Sequence, residues 1–159
     1  MTRKTAIASK PSSAPYLLDV NVLIALAWPL HVHHVIAHAW FEKVGQKSWS
    51  TCPLTQLAFV RISSNAKIIS TAVSPRAAVQ ALGEMVSLAG HVFWADDLQV
   101  NDLASFSSSA MVGHRQVTDA YLIELAKRHK GKVATLDSGL ADLLPQTERA
   151  RVVAFIGAV

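Results

Sequence analysis

The chain has 159 residues, of which 51% are hydrophobic and only 16% charged. An ordinary soluble domain is about 25% charged, so disorder is excluded as the main state and one compact domain is expected. The longest uninterrupted apolar run, residues 22–28, is far short of the roughly 20 residues a bilayer requires, so no membrane span is expected. A single cysteine, Cys52, excludes a disulfide framework and a multi-cysteine zinc site and fits a reducing cytoplasm.

The formal charge of +4 suits a polyanionic partner but is unevenly placed. Residues 1–15 hold Arg3, Lys4 and Lys10 and no acid, and are rich in Ser, Thr, Ala and Pro, which reads as a disordered basic tail. A basic, acid-free start is also a feature of organelle transit peptides. The body, residues 16–159, then carries 12 basic and 11 acidic residues, so any affinity for nucleic acid must come from a local patch.

In chain order, residues 16–19 form a short apolar strand ending in Asp19, and residues 22–28 a buried helix, with Asn21 as N-cap and Pro29 as stop. Residues 31–44 are amphipathic at helical spacing and stop at Gly45; residues 48–52 are a strand before Pro53. Helices follow over 55–63 and between Pro75 and Gly90, then a strand over 91–94. A serine-rich loop covers 105–113, a helix 118–129, a strand 132–136 ending at Asp137, and a last strand 151–156. Strands alternating with helices imply βαβ units and a mostly parallel sheet covered on both faces.

Such a sheet binds ligands beyond the carboxyl ends of its strands. Asp19 and Asp137 each close a strand, and Asp119 opens a helix, so the fold would bring three carboxylates to one edge. They repel one another unless a cation neutralises them, and hard oxygen donors suit Mg²⁺ or Mn²⁺, whose shell substrate phosphate completes. The alternative is that Asp119 merely caps its helix and Asp19 and Asp137 merely start turns.

The stretches LLDVNVLIAL at 17–26, HVHHVIAHAW at 31–40, TCPLTQLAFVRISSN at 51–65, GHRQVTDAYLIELAKRH at 113–129 and VATLDSGL at 133–140 resemble PIN-domain ribonucleases, more closely the VapC toxins of bacterial type II toxin–antitoxin systems. The resemblance spans about residues 16–157. It implies a three-layer α/β/α sandwich and a cytoplasmic, metal-dependent endoribonuclease using Mg²⁺ or Mn²⁺. It maps the acidic site onto Asp19, Asp119 and Asp137, with Asn21 and Thr118 as supporting polar groups. The reaction would be hydrolysis of an RNA phosphodiester by a metal-activated water. It further implies a homodimer and a cognate VapB-type antitoxin that lays a peptide across the acidic groove.

The sequence departs from the family pattern at Gln56, where a glutamate is usual. An amide can hydrogen-bond but brings no charge, so three carboxylates suit one ion better than two. A catalytically weak RNA-binding or antitoxin-sequestered module is therefore one alternative. A receiver-type signalling domain is another, although it expects adjacent acids after the first strand and a lysine near the last.

Other residues have blander readings. His31, His33, His34 and His38 form a cluster in which His34 and His38 lie one turn apart, a metal-compatible spacing that no Glu or Cys completes. Trp28, Trp40, Trp49 and Trp94 could stack bases but suit a core better. Arg61, Lys67, Arg115, Lys127, Arg128, Lys130 and Lys132 could form an RNA-facing rim, with Arg115, four residues before Asp119, the best placed.

Overall fold

The computed structural model describes residues 14–105 and 111–157. The expected basic tail therefore falls almost wholly outside the described residues, as does the middle of the serine-rich loop.

Five short strands, β1 (Tyr16–Leu18), β2 (Trp49–Thr51), β3 (His91–Phe93), β4 (Lys132–Thr135) and β5 (Val153–Phe155), make one parallel sheet in the order β3-β2-β1-β4-β5. Between them run α1 (Val20–Ala27), α2 (His34–Lys43), α3 (Pro53–Ser63), α4 (Pro75–Val86), α5 (Gln116–Arg128) and α6 (Gln146–Val152). The alternation of side chains along a strand separates two cores. Leu17 and Val133 face one cluster with the apolar side of α5, while Leu18 and Ala134 face another with α1 and Trp49. These are the three layers expected, and the sheet is wholly parallel.

Several helix ends shift by two or three residues, and two boundaries differ in a way that matters. The N-cap of α1 is Asp19, not Asn21, because the helix starts directly after the three-residue strand. Residues 146–152 form α6, so the last strand is only β5. Polar QTERARV carries no apolar stripe of helical period, and no turn residue separates it from the strand.

Two histidines of the cluster tie α2 to α1. His34 Nδ1 lies 2.7 Å from the Ala25 carbonyl and His38 Nε2 2.9 Å from the Leu26 carbonyl, so both rings satisfy carbonyls at the end of α1. The tryptophans serve the cores: Trp28 stacks on Phe59, Trp40 meets Tyr16 edge-on, Trp49 meets Phe41, and Trp94 stacks on His129. Buried Cys52 caps α3 together with Thr55, and burial pushes its thiol pKa up, away from reactivity.

The carboxyl end of α5 closes in a Schellman turn. Lys130 N donates to the Lys127 carbonyl at 3.0 Å and Gly131 N to the Ala126 carbonyl at 2.8 Å. Lys130 holds the left-handed position of that turn at φ 54°, where glycine is the usual residue and a side chain costs about 1 kcal/mol.

Candidate functional site

The chain runs from β1 outward through β2 and β3, then returns to place β4 on the other side of β1. The β1/β4 junction is thus the topological switch point, where a parallel sheet opens a crevice beyond its carboxyl edge. Asp19 follows β1 and Asp137 follows β4 by two residues, so both acids belong to that crevice.

Asp19 is nearly buried, at 7% exposure. It occupies a cap position, yet its side chain makes no capping bond. Instead its Oδ2 accepts from Thr135 Oγ1 at 2.7 Å and from Asn21 Nδ2 at 2.8 Å. Asn21 Nδ2 also reaches Thr135 Oγ1 at 3.1 Å, and its Oδ1 accepts from Leu136 N at 3.1 Å. Asp137 N donates to the same Thr135 hydroxyl at 3.0 Å. Thr135, fully buried, thereby spends its one proton and both lone pairs on holding the two acids' segments together. It lies within the T-L-D signal, which marked the strand end but did not reveal this role.

Burial is the main reason that the Asp19 pKa is raised, with Asp137 adding repulsion against the lowering effect of Thr135 and Asn21. Asp119, in the first turn of α5, is pushed up to about 6 by burial, then by Asp19, then by Asp137. Asp119 thus senses the charge of both other acids, and Asp19 that of Asp137. The capping alternative describes only Asp137, whose Oδ1 accepts from Gly139 N at 2.8 Å; the N-cap of α5 is Arg115, not Asp119.

Beside Asp19 opens a cleft of 170 Å³ with Thr118 on one wall and Leu54, Ala58 and Arg61 on the other. Thr118 and Arg115 are solvent-exposed where α5 begins. Gln56 makes no hydrogen bond to any of the three acids. Its Nε2 donates to Thr51 Oγ1 at 2.9 Å, and that hydroxyl lies 2.9 Å from His91 Nε2, whose pKa burial lowers so that the neutral ring can accept. The basic residues do not form one rim. Arg61 and Arg115 flank the acids, whereas Lys127, Arg128, Lys130 and Lys132 lie at the far end of α5 and the opposite edge of the sheet.

The donor set fits a hard divalent cation, being all carboxylate and mutually repelling. Among the described residues no three His, Cys, Asp or Glu side chains enclose an ion by themselves, which leaves the shell of any such ion to be completed by water or substrate.

A family model for the PIN domain matches residues 16–143, and the chain belongs to that family. Ribonuclease VapC39 of Mycobacterium tuberculosis is 47% identical over 126 residues, covering 79% of this chain and 91% of that protein. Ribonuclease VapC38 of the same species is 40% identical over 136 residues, covering 86% and 94%. Within the PIN-domain proteins the chain therefore stands among the VapC ribonucleases, and the receiver-type alternative falls. Among solved structures, FitAB bound to an IR36 DNA fragment superposes with a TM-score of 0.61 at 16% identity, covering 91% of this chain and 96% of that one. FitAcB from Neisseria gonorrhoeae gives 0.56 at 21%, covering 87% and 95%. These two share the fold.

Proposed function

We propose that this chain is a metal-dependent endoribonuclease toxin of the VapC type, hydrolysing RNA phosphodiester bonds at the acidic edge and neutralised by a cognate VapB-type antitoxin. The observation that supports the reading is that the charges of Asp19 and Asp137, which follow the two strands of the switch point, both act on Asp119 in a VapC-like chain. Held by these three acids, Mg²⁺ or Mn²⁺ would offset their repulsion, screen charge on the scissile phosphate and acidify the attacking water. The chain's own part is positional. Thr135 and Asn21 aim the Asp19 carboxylate, while Thr118 and Arg61 face each other across the cleft where a phosphate would lie. Arg115 guides the strand at the mouth. A single-stranded or looped RNA supplies the accessible backbone such an open edge needs.

The test is digestion of RNA with added Mg²⁺ or Mn²⁺, with Asp19→Asn and Asp119→Asn as controls. Cleavage that persists in both variants sinks the proposal. RNA binding without cleavage by the wild type would instead favour the weak-module reading, for which the uncharged Gln56, tied to Thr51, is the specific motive. Changing Gln56 to Glu adds a carboxylate on α3, the helix whose Leu54, Ala58 and Arg61 line the cleft, and should tighten Mg²⁺ binding in calorimetry; unchanged or weaker affinity removes Gln56 from the site.

Two apolar surfaces support the partners. A groove of 350 Å³ lined by Leu54, Leu98, Val100, Val117 and Tyr121 adjoins the acidic cleft and shares Leu54 and Thr118 with it, as a peptide laid across the site would require. Around the α1–α2 turn, Leu30, Val32 and Val35 are 77%, 87% and 80% exposed, and Leu30 and Val32 line a hollow with Ile68. This patch suits a homodimer. Gel filtration should give a dimer, and Val32→Glu a monomer; a monomeric wild type contradicts the assignment.

A further inference from the structure

We infer a second nucleic-acid site on the sheet's amino edge, where the phosphate backbone of the RNA is held away from the acids; the inference rests on the ribonuclease reading above. A hollow of 560 Å³ there is lined by Lys127, Lys130, Lys132 and Arg151, with Glu148 as its one acid and Ala14 on its rim. Lys132 opens β4, Arg151 precedes β5 and Ala14 precedes β1, so the hollow lies at the end of the strands remote from Asp19 and Asp137. Roughly 14 Å of helix separates Asp119 from Arg128 on α5.

Glu148 is engaged by Lys127 at 3.1 Å and by Arg151 at 3.8 Å, and Lys127 also pairs with Glu124 at 3.3 Å, so the excess of charge in the hollow lies with Lys130, Lys132 and Arg151. Lys132 Nζ donates to the Ala150 carbonyl at 2.8 Å, a partner without formal charge. Lys130 forms no ion pair among the described residues. An excess of positive charge around a concave surface is the electrostatic signature of a phosphate backbone.

The second observation is conformational. Lys130 keeps a lysine in the left-handed position of a Schellman turn, where glycine would relieve strain. A strained residue that places an unpaired cation on the rim of a basic hollow fits a binding role bought with stability. The acids and these bases sit at opposite ends of α5, so a strand cleaved at one edge can be anchored at the other. Contacts of this kind position the strand without reading its sequence.

The experiment uses the full chain with Asp19→Asn, so that bound RNA stays intact, and adds Lys130→Gly and Arg151→Gln singly and together. Lys130→Gly should unfold at the same or a higher temperature than its parent, yet bind a long single-stranded RNA more weakly. The plot of log affinity against log salt should flatten by about 0.7 for each cation removed and about 1.4 for both. A strand too short to leave the acidic edge should bind all variants equally. Unchanged affinity and salt slope for the long strand in the double variant overturn the site, as does equal weakening for the short strand. Failure of the ribonuclease reading is a separate result: a wild type with neither variant that cleaves no RNA with either ion, whatever Lys130→Gly does to binding.

Discussion

Changing Asp119 to Asn should make the metal-free protein more stable by about 1 kcal/mol while cutting metal-dependent RNA cleavage about a hundredfold or more. Both effects come from one cause. The pKa of Asp119 stands at about 6 against an ordinary 3.8 because burial and then the charges of Asp19 and Asp137 oppose its ionisation. A folded-state pKa above the unfolded one means that ionisation costs stability. That cost is absent below pH 3.8, grows as pH rises through the interval and is fully present above about 6. Solvent reaches the side chain and screens the repulsion, so the gain at neutral pH stays near 1 kcal/mol, well below what the full shift would give. The amide removes the cost, and denaturant unfolding of the metal-free proteins at pH 4 and pH 7 should show the wild type losing stability over that range more steeply than the variant. The same carboxylate lost from a cation site forfeits several kcal/mol of charge stabilisation, of which about 3 is a hundredfold in rate. Mg²⁺ should accordingly raise the melting temperature of the wild type and barely that of the variant. A variant less stable than the wild type without metal would make Asp119 a structural residue.

Thr135→Val should be costly for so conservative a change. Valine fills the same space but removes the proton that Asp19 Oδ2 accepts at 2.7 Å. It also removes the lone pairs that receive Asn21 Nδ2 and Asp137 N. These partners are buried or partly buried, and each group left unsatisfied costs about 1–3 kcal/mol. A loss of about 2–3 kcal/mol is expected in denaturant unfolding, together with weaker cleavage, because Asp19 loses a donor that favours its ionised form. Thr135→Ser keeps the hydroxyl and should restore cleavage even where packing stays weakened. Equal cleavage by Val and Ser variants would remove Thr135 from the positioning of Asp19.

Much of this arrangement was legible because it depends on local signals. The alternation of short apolar strands with helices read as a parallel sheet covered on both faces, and acids at strand ends carried the site. What was hidden depends on distance in sequence. No periodicity reveals that Thr135 would close on Asp19, or that His34 and His38 would find the carbonyls ending α1. Helical spacing places Lys127 on a face but does not say that α5 carries it across the sheet to the edge opposite Asp119. Asn21 looked like a cap because Asn, like Asp, favours that position; a three-residue strand left room for only one of them. Gln56 stood near the acids by family pattern, while its amide turned to Thr51.

The pairing of β1 with β4 also sets a timetable. Asp19 and Thr135 are 116 positions apart, and the third acid lies two residues beyond the latter. At roughly 5–20 residues per second of synthesis, the first acid waits on the order of ten seconds for the strand that completes its surroundings. A nascent chain therefore has no assembled acidic edge until its carboxyl-terminal part emerges, and the growing toxin spends most of its translation unarmed.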